Sequence, residues 1–331
     1  MLTIVIITIV CALLFDFLNG MNDAGNSIAT IVATGVLPPK LAVAWAAFFN
    51  FVAFLIFGVH VATTVGKGIV DPIWMNGDPY FILVSLISAG IWVYFCGRNG
   101  IPNSVSHALI GGLIGPALIK GGIHAVMFSS VLKIAIFIVL APLMGFVIGY
   151  LFMILTLAIW GKKPPSKVDG FYRVMQLVSS AAFSLGHGGN DAQKTMGIIA
   201  MLLFSTGYLG SEFYVPLWVV LCAQSAIALG TLFGAWKVIK TLGNGLTNLK
   251  PVHGFCAETA GAATLFAVTY LGIPVSTTHT ITGAIMGVGV TRRVSAVKWE
   301  VAGSIVTAWL LTIPSTIILS AGLYYLLHLF I

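Results

Sequence analysis

Apolar residues run almost unbroken over roughly 41–64, 80–97, 127–160, 213–236 and 299–331, and another apolar run starts at Met1. Most of these are close to the ~20 residues a helix needs to cross a bilayer. None shows the alternating pattern of a membrane β-barrel. The expected fold is an all-α, polytopic membrane protein. The first run has no basic leader and no small-residue cleavage pattern, so it is expected to be mature structure. It leads into FDFLNGMNDAGNSIAT, Phe15 to Thr30, which sets Asp16, Asn19, Asn22, Asp23 and Asn26 at membrane depth. Two glycines and several side chains that bond their own backbone predict a broken helix over Asn19 to Asn26.

The same signature returns as FSLGHGGNDAQKTMGI, Phe183 to Ile198, with Asp191 following Asp23 by 168 positions (191 − 23). A second echo pairs IPNSVSHALIGGLIG, Ile101 to Gly115, with IPVSTTHTITGAIMG, Ile273 to Gly287, without gaps and 172 positions apart (279 − 107). The near-equal spacings put both motifs in one duplicated unit. The expected division is 1–160 for the first repeat, 161–170 for a polar linker and 171–331 for the second repeat.

Loop charge sets the relation between the repeats, because cytoplasmic loops carry the excess of Lys and Arg. The loop Gly66 to Pro79 has one base and two acids, whereas its counterpart Lys237 to Lys250 has three bases and no acid. Equivalent loops therefore fall on opposite faces. This predicts an inverted repeat, with Lys162, Lys163 and Lys167 of the linker in the cytoplasm and both termini outside. Tyr80 to Lys120 then starts and ends outside, Val252 to Val290 starts and ends inside, and each is drawn as a re-entrant helical hairpin with its tip at the IPxSxxH turn. In inverted-repeat transporters such breaks and tips meet near the midplane.

Composition agrees: 59% hydrophobic and 8% charged residues over 331 positions leave too little polar surface for a water-soluble globule of this length. The net charge of +7 is grouped at a few loops, which is a topology signal, and no basic face suggests nucleic acid. Cys11, Cys96, Cys222 and Cys256 are scattered singly, so neither a disulfide framework nor a thiolate metal site is expected.

Each hairpin turn places Pro before hydroxyl residues and then a helix. Ser104, Val105 and Ser106, with Ser276, Thr277 and Thr278, supply free amides, hydroxyl donors and a positive dipole end suited to a small oxyanion. A single serine there would more often cap its own helix; two copies meeting across a pseudo-two-fold favour the site. Asp23 and Asp191 are acceptors and cannot hold an anion alone. With Asn22 and Asn190 they are read as binding a cation, sodium included, or taking protons; capping a helix fragment is the bland alternative. A divalent oxyanion beside two carboxylates needs incoming cations, so symport is an electrostatic expectation. Lys194, three residues after Asp191, pairs with it or contacts the anion. Arg98, before the first tip, attracts substrate or snorkels. His107 and His279 are read as core histidines holding the tips. Glu258, in an apolar stretch with Leu86 as its approximate counterpart, is a candidate for coupling a proton or cation.

GMNDAGNSIAT, GHGGNDAQKTMGII, IPNSVSHALIGG and IPVSTTHTITG together resemble the inorganic phosphate transporter family, the PiT-type symporters, and among them the bacterial low-affinity type. The resemblance spans nearly the whole chain. It implies a secondary active transporter of the cell membrane that imports inorganic phosphate with a cation and needs no bound cofactor. By resemblance, Asn22, Asp23, Asn190 and Asp191 belong to the paired acidic motifs, and Ser104, Ser106, Ser276, Thr277 and Thr278 to the hairpins. Asn26 joins the first motif. Asn50 stands where sodium-coupled members typically carry Glu, a feature that looks more like bacterial, often proton-coupled members, so proton and sodium both stay open. Sulfate stays open as substrate, and a homodimer as assembly. An intramembrane aspartyl enzyme using Asp23 and Asp191 as a dyad gives the Ser/Thr hairpins no role, and a passive anion channel is the third reading.

Overall fold

The computed structural model describes residues 1–75 and 77–330, so the last residue of the expected second repeat, Ile331, lies outside the described residues. These residues form twelve α-helices: α1 (Leu2–Ala33), α2 (Pro39–Val52), α3 (His60–Gly68), α4 (Pro79–Asn99), α5 (Val105–Gly121), α6 (Phe128–Trp160), α7 (Pro165–Ser205), α8 (Leu217–Phe233), α9 (Trp236–Asn244), α10 (Pro251–Tyr270), α11 (Thr277–Val290) and α12 (Trp299–His328). By length and apolar composition five helices can cross a bilayer, or seven if each bent pair counts as one span. The outward faces of α6 and α12 fit that setting. Val139, Leu151, Leu310 and Ile318 are all more than half exposed, as side chains facing lipid are.

The break expected at Asn19 to Asn26 does not occur. α1 runs unbroken for 32 residues and α7 for 41, about 60 Å of helix. Their asparagines do not turn back on their own backbone, because residues far along the chain supply partners. Asn22 donates to Asn103, and Asn26 donates to Thr277 and Thr278. The glycines serve close approach instead: a Cβ on Gly20 would sit 2.1 Å from the carbonyl oxygen of Ile227 in α8. The real breaks come one element later in each half, where α2 and its short extension bend by 83° into α3, and α8 bends by 75° into α9.

Two further boundaries differ from expectation. The polar stretch 161–170 is already helical from Pro165, since Pro at the first helical position has a suitable φ and no amide to lose. Lys237 and Lys240, expected in a loop, ride on α9.

Apolar packing is divided between two cores with a polar belt between them. The first collects Val5 and Phe15 of α1, Val61 of α3, Phe81 of α4, Leu109 of α5, Ile199 of α7 and Val219 of α8. The second collects Ile28 of α1, Ala46 of α2, Phe183 of α7, Leu242 of α9, Leu265 of α10 and Ile285 of α11. α1 thus passes from the first core to the second, and α7 from the second to the first. α6 and α12 make the same opposite crossings, with Ile134 then Met153 on one and Trp309 then Tyr324 on the other.

Halves of the sequence are not separate bodies in space. α12 packs against α5 of the first hairpin, and α6 against α11 of the second. Small residues make both contacts possible. Cβ atoms on Gly111 and Gly115 would fall 2.1 Å from Thr316 Oγ1 and 2.0 Å from Ser320 Oγ, and one on Gly283 2.1 Å from the Pro142 carbonyl oxygen.

Candidate functional site

The helical hairpins α4–α5 and α10–α11 bring their turns together. Gly100, with φ 71°, ends α4, and Gly272, with φ 68°, stands at the equivalent turn after α10, a left-handed conformation that favours Gly. An extended Ser then opens each following helix. Ser104 Oγ accepts from the His107 amide at 3.2 Å, and Ser276 Oγ from the His279 amide at 3.3 Å. Both serines cap their own helices, and each keeps its hydroxyl hydrogen free to donate. The His107 and His279 rings meet edge to face with centroids 4.7 Å apart, so the first turns of α5 and α11 face each other. Ser106 Oγ donates across to the Val275 carbonyl at 3.1 Å.

The acidic segments of α1 and α7 lie against these turns. Thr277 Oγ1 is 3.3 Å from Asp23 Oδ2 and 3.2 Å from Asp191 Oδ2, bridging residues 168 positions apart (191 − 23). Asn22 Nδ2 reaches Asp23 Oδ1 at 3.0 Å and Asn103 Oδ1 at 2.9 Å. Lys194 donates to Asp191 Oδ1, to Ser106 Oγ at 2.5 Å and to the Val275 carbonyl at 2.8 Å. Ser104, Val105, Ser106, Ser276, Thr277, Thr278, Asn22, Asp23, Asn190, Asp191, Lys194, Asn26 and Asn50 are all at most 4% exposed. The cluster is closed to water from both sides. A cavity of about 640 Å³ lies elsewhere, lined by Lys163, Lys250, His253 and Arg292.

Several expected residues do not join the cluster itself. Arg98 is exposed in the last turn of α4. Asn190 turns toward the second hairpin's first arm, donating to Thr269 Oγ1 at 2.9 Å and to the Ile273 carbonyl at 3.3 Å. Asn50 stands behind the acids, with its amide on Thr231 at 2.9 Å and its oxygen 3.1 Å from His187 Nδ1. Glu258 has its own buried pocket, receiving Thr30 at 2.5 Å, Ser179 at 2.5 Å and Gln176 at 3.0 Å.

His187 was not singled out in the sequence. Its Nε2 is 3.3 Å from Asp191 Oδ2, and Asp23, His187 and Asp191 offer ligand atoms all within 4.8 Å of one another. Its i,i+4 spacing from Asp191 was the available signal. Because the Asn50 amide points at Thr231, its carboxamide oxygen faces the ring and accepts from Nδ1–H. A neutral ring then turns the Nε2 lone pair toward a carboxylate, an arrangement that a proton or a metal cation between them resolves.

A sequence model described as the phosphate transporter family matches residues 19–320. The chain belongs to the phosphate transporter family. It is 58% identical over 317 residues, 96% of this chain and 94% of the relative, to a protein of Rhizobium meliloti named a probable low-affinity inorganic phosphate transporter. A Bacillus subtilis protein of the same name is 38% identical, covering 99% of this chain and 98% of the relative. A solved structure named as the sodium-dependent phosphate transporter matches with a TM-score of 0.88 at 27% identity, over 99% of this chain and all of that one. Family membership fits the geometry, since the four motif segments that carried the resemblance are the ones the fold draws to one point.

Proposed function

We propose that this chain imports inorganic phosphate by symport with a cation across the cell membrane, at a single site between the two hairpin turns and the two acidic helices. The observation that carries this is the Thr277 hydroxyl lying within hydrogen-bond reach of both Asp23 and Asp191. It puts oxyanion donors and cation acceptors in one desolvated volume. Hydroxyls of Ser104, Ser106, Ser276, Thr277 and Thr278 and the first amides of α5 and α11, Val105 included, bind phosphate oxygens. Asp23, Asp191 and His187 take the cation, as a proton on His187 Nε2 or a sodium ion among the carboxylates. Asn22, Asn26, Asn190 and Asn50 hold these groups in place. Glu258, in a second polar pocket, is a further coupling group.

Membership in a transporter family and the Lys194 ammonium on Asp191 both speak against an aspartyl dyad, which needs two carboxylates sharing one proton. Sulfate is disfavoured by chemistry. Monohydrogen phosphate has a hydroxyl that a buried carboxylate can accept and sulfate has none, and sites that require such a donor reject analogues lacking it by roughly 10⁴-fold.

The opposite paths of α1 and α7 through the two cores support an inverted repeat, 1–160 against 171–331, with re-entrant hairpins and both termini outside. Exposing the site alternately to each side then amounts to moving packed helix groups about it, and not the two halves of the sequence, since these interlock.

The test is radiolabelled phosphate uptake into proteoliposomes with sodium and pH gradients imposed separately and sulfate as competitor. Uptake requires one of the gradients, ignores sulfate, and is lost in Asp23→Asn and Asp191→Asn. Coupled uptake near the wild-type rate in both variants rejects the site.

A further inference from the structure

The Lys194 ammonium is held in a shell built of oxygens. A carboxylate from α7, a hydroxyl from α5 and a backbone carbonyl from the turn before α11 each accept one of its three hydrogens. This is the donor set a hard alkali cation takes from a protein. The residue is 4% exposed, so its charge is compensated inside the protein, by Asp191 directly and at longer range by Asp23 and Asp16.

The duplication supplies an internal control. Counting back by the repeat spacings, Lys194 corresponds to Asn26 (194 − 168), Asp191 to Asp23 (191 − 168), and Ser106 to Thr278 (106 + 172). The hydroxyl contact is reproduced: Asn26 Nδ2 donates to Thr278 Oγ1 at 2.9 Å, as Lys194 Nζ donates to Ser106 Oγ at 2.5 Å. What differs is charge. Asn26 is neutral, and Asp23 receives Asn22 and Thr277 in place of an ammonium. Asn26 also leaves its own Oδ1, fully buried, without a partner. One carboxylate has a cation fixed to the chain; its pseudo-symmetric twin has a polar cradle with an unused oxygen.

Resting on the reading of this site as a cation-coupled phosphate site, we infer that Lys194 is a tethered replacement for one co-transported cation. It sets the number of exchangeable cations moved with each phosphate one lower than a symmetric site would require. Two carboxylates and a divalent phosphate carry four negative charges, and Lys194 permanently cancels one. The remaining exchangeable cation chemistry belongs to the Asp23 side of the site, facing His187 and the free oxygen of Asn26.

The experiment measures the equilibrium accumulation ratio of radiolabelled phosphate in proteoliposomes held at zero membrane potential, with an imposed cation gradient of about tenfold. Each additional coupled cation multiplies that ratio by the gradient. Lys194→Asn, which copies the first repeat, is expected to settle about tenfold higher than wild type and to need more cation for half-maximal rate. A folded Lys194→Asn protein that settles at the wild-type ratio overturns the inference. So does one whose phosphate binding is lost at every cation concentration, which would make Lys194 an anion ligand.

Should Lys194→Asn be lost from the membrane, Lys194→Gln, which keeps most of the side chain's reach and an amide donor but removes the charge, is read instead. A ratio about tenfold above wild type is expected from it, and a wild-type ratio overturns the inference. Failure of the underlying transport reading looks different: wild type itself then accumulates nothing at any cation gradient.

Discussion

Replacing Thr277 by Val tests the meeting of the two acidic helices, because Val keeps the shape of Thr and deletes only the hydroxyl. That hydroxyl lies 3.3 Å from Asp23 and 3.2 Å from Asp191 and accepts from Asn26 at 3.1 Å. Having one hydrogen, it donates to one carboxylate at a time. The Asn26 amide keeps one hydrogen on Thr278 at 2.9 Å when the hydroxyl is gone, while its other N–H loses the Thr277 acceptor. The part of the loss that falls on the carboxylates is one hydrogen bond to a charged group, about 1.5–3 kcal/mol. At 1.4 kcal/mol per tenfold, the cation concentration for half-maximal phosphate uptake rises about ten- to a hundredfold. Thr277→Ser, which restores the hydroxyl, stays within a few fold of wild type. The assay is initial-rate uptake over a cation titration, with melting temperature as the folding control. Thr277→Val with wild-type cation dependence and a normal Tm refutes the reasoning.

Gly283→Val places a side chain where a Cβ alone would stand 2.1 Å from the Pro142 carbonyl. Overpacking of this kind costs about 1–3 kcal/mol or more, so the Tm of the purified protein drops, and an unchanged Tm contradicts the close α6–α11 contact. Asp78 caps α4 and accepts from Lys120 at 2.8 Å and Tyr324 at 2.6 Å. Burial pushes its carboxyl up, but these two partners together hold it below the usual carboxylate range. A depressed folded value means stability that is present above the unfolded value, about 3.9, and lost as pH falls through the folded one. Asp78→Asn accordingly lowers the Tm at neutral pH, with a gap from wild type that closes below about pH 4; a gap independent of pH refutes the ion pair. Lys40, in the first turn of α2, and Glu212, in the loop before α8, are exposed 172 positions apart (212 − 40). In a background without the four native cysteines, a membrane-impermeant maleimide labels Glu212→Cys on intact cells and Lys40→Cys only after permeabilisation. Labelling of both from one side removes the inverted repeat.

Much of the site was legible because its chemistry recurs. NDA and IPxSxxH each appear twice at nearly one spacing, and polar residues inside apolar runs have few structural excuses. Helix continuity was hidden for the same reason: Asn22 and Asn26 look like breakers until Asn103, Thr277 and Thr278 are seen to satisfy them from 81 to 252 positions away. The true bends gave no such signal. One follows Phe233 at Gly234, whose φ of 59° favours Gly, within an otherwise apolar run. His187 was hidden because a lone histidine in an apolar helix reads as a core residue until Asp191 and Asn50 are found on its two ring nitrogens. The Glu258 pocket was invisible because Gln176 and Ser179 read as ordinary polar positions at the start of α7. That α6 and α12 pack on each other's hairpins could not be read from helices that are apolar on nearly every face.

The most direct measurement is uphill transport itself: radiolabelled phosphate inside proteoliposomes that start with equal phosphate on both sides and an inward cation gradient. With cation-coupled symport, internal phosphate rises above external, then falls back to parity when an ionophore collapses the gradient. Phosphate that never exceeds parity, with or without the gradient, contradicts it.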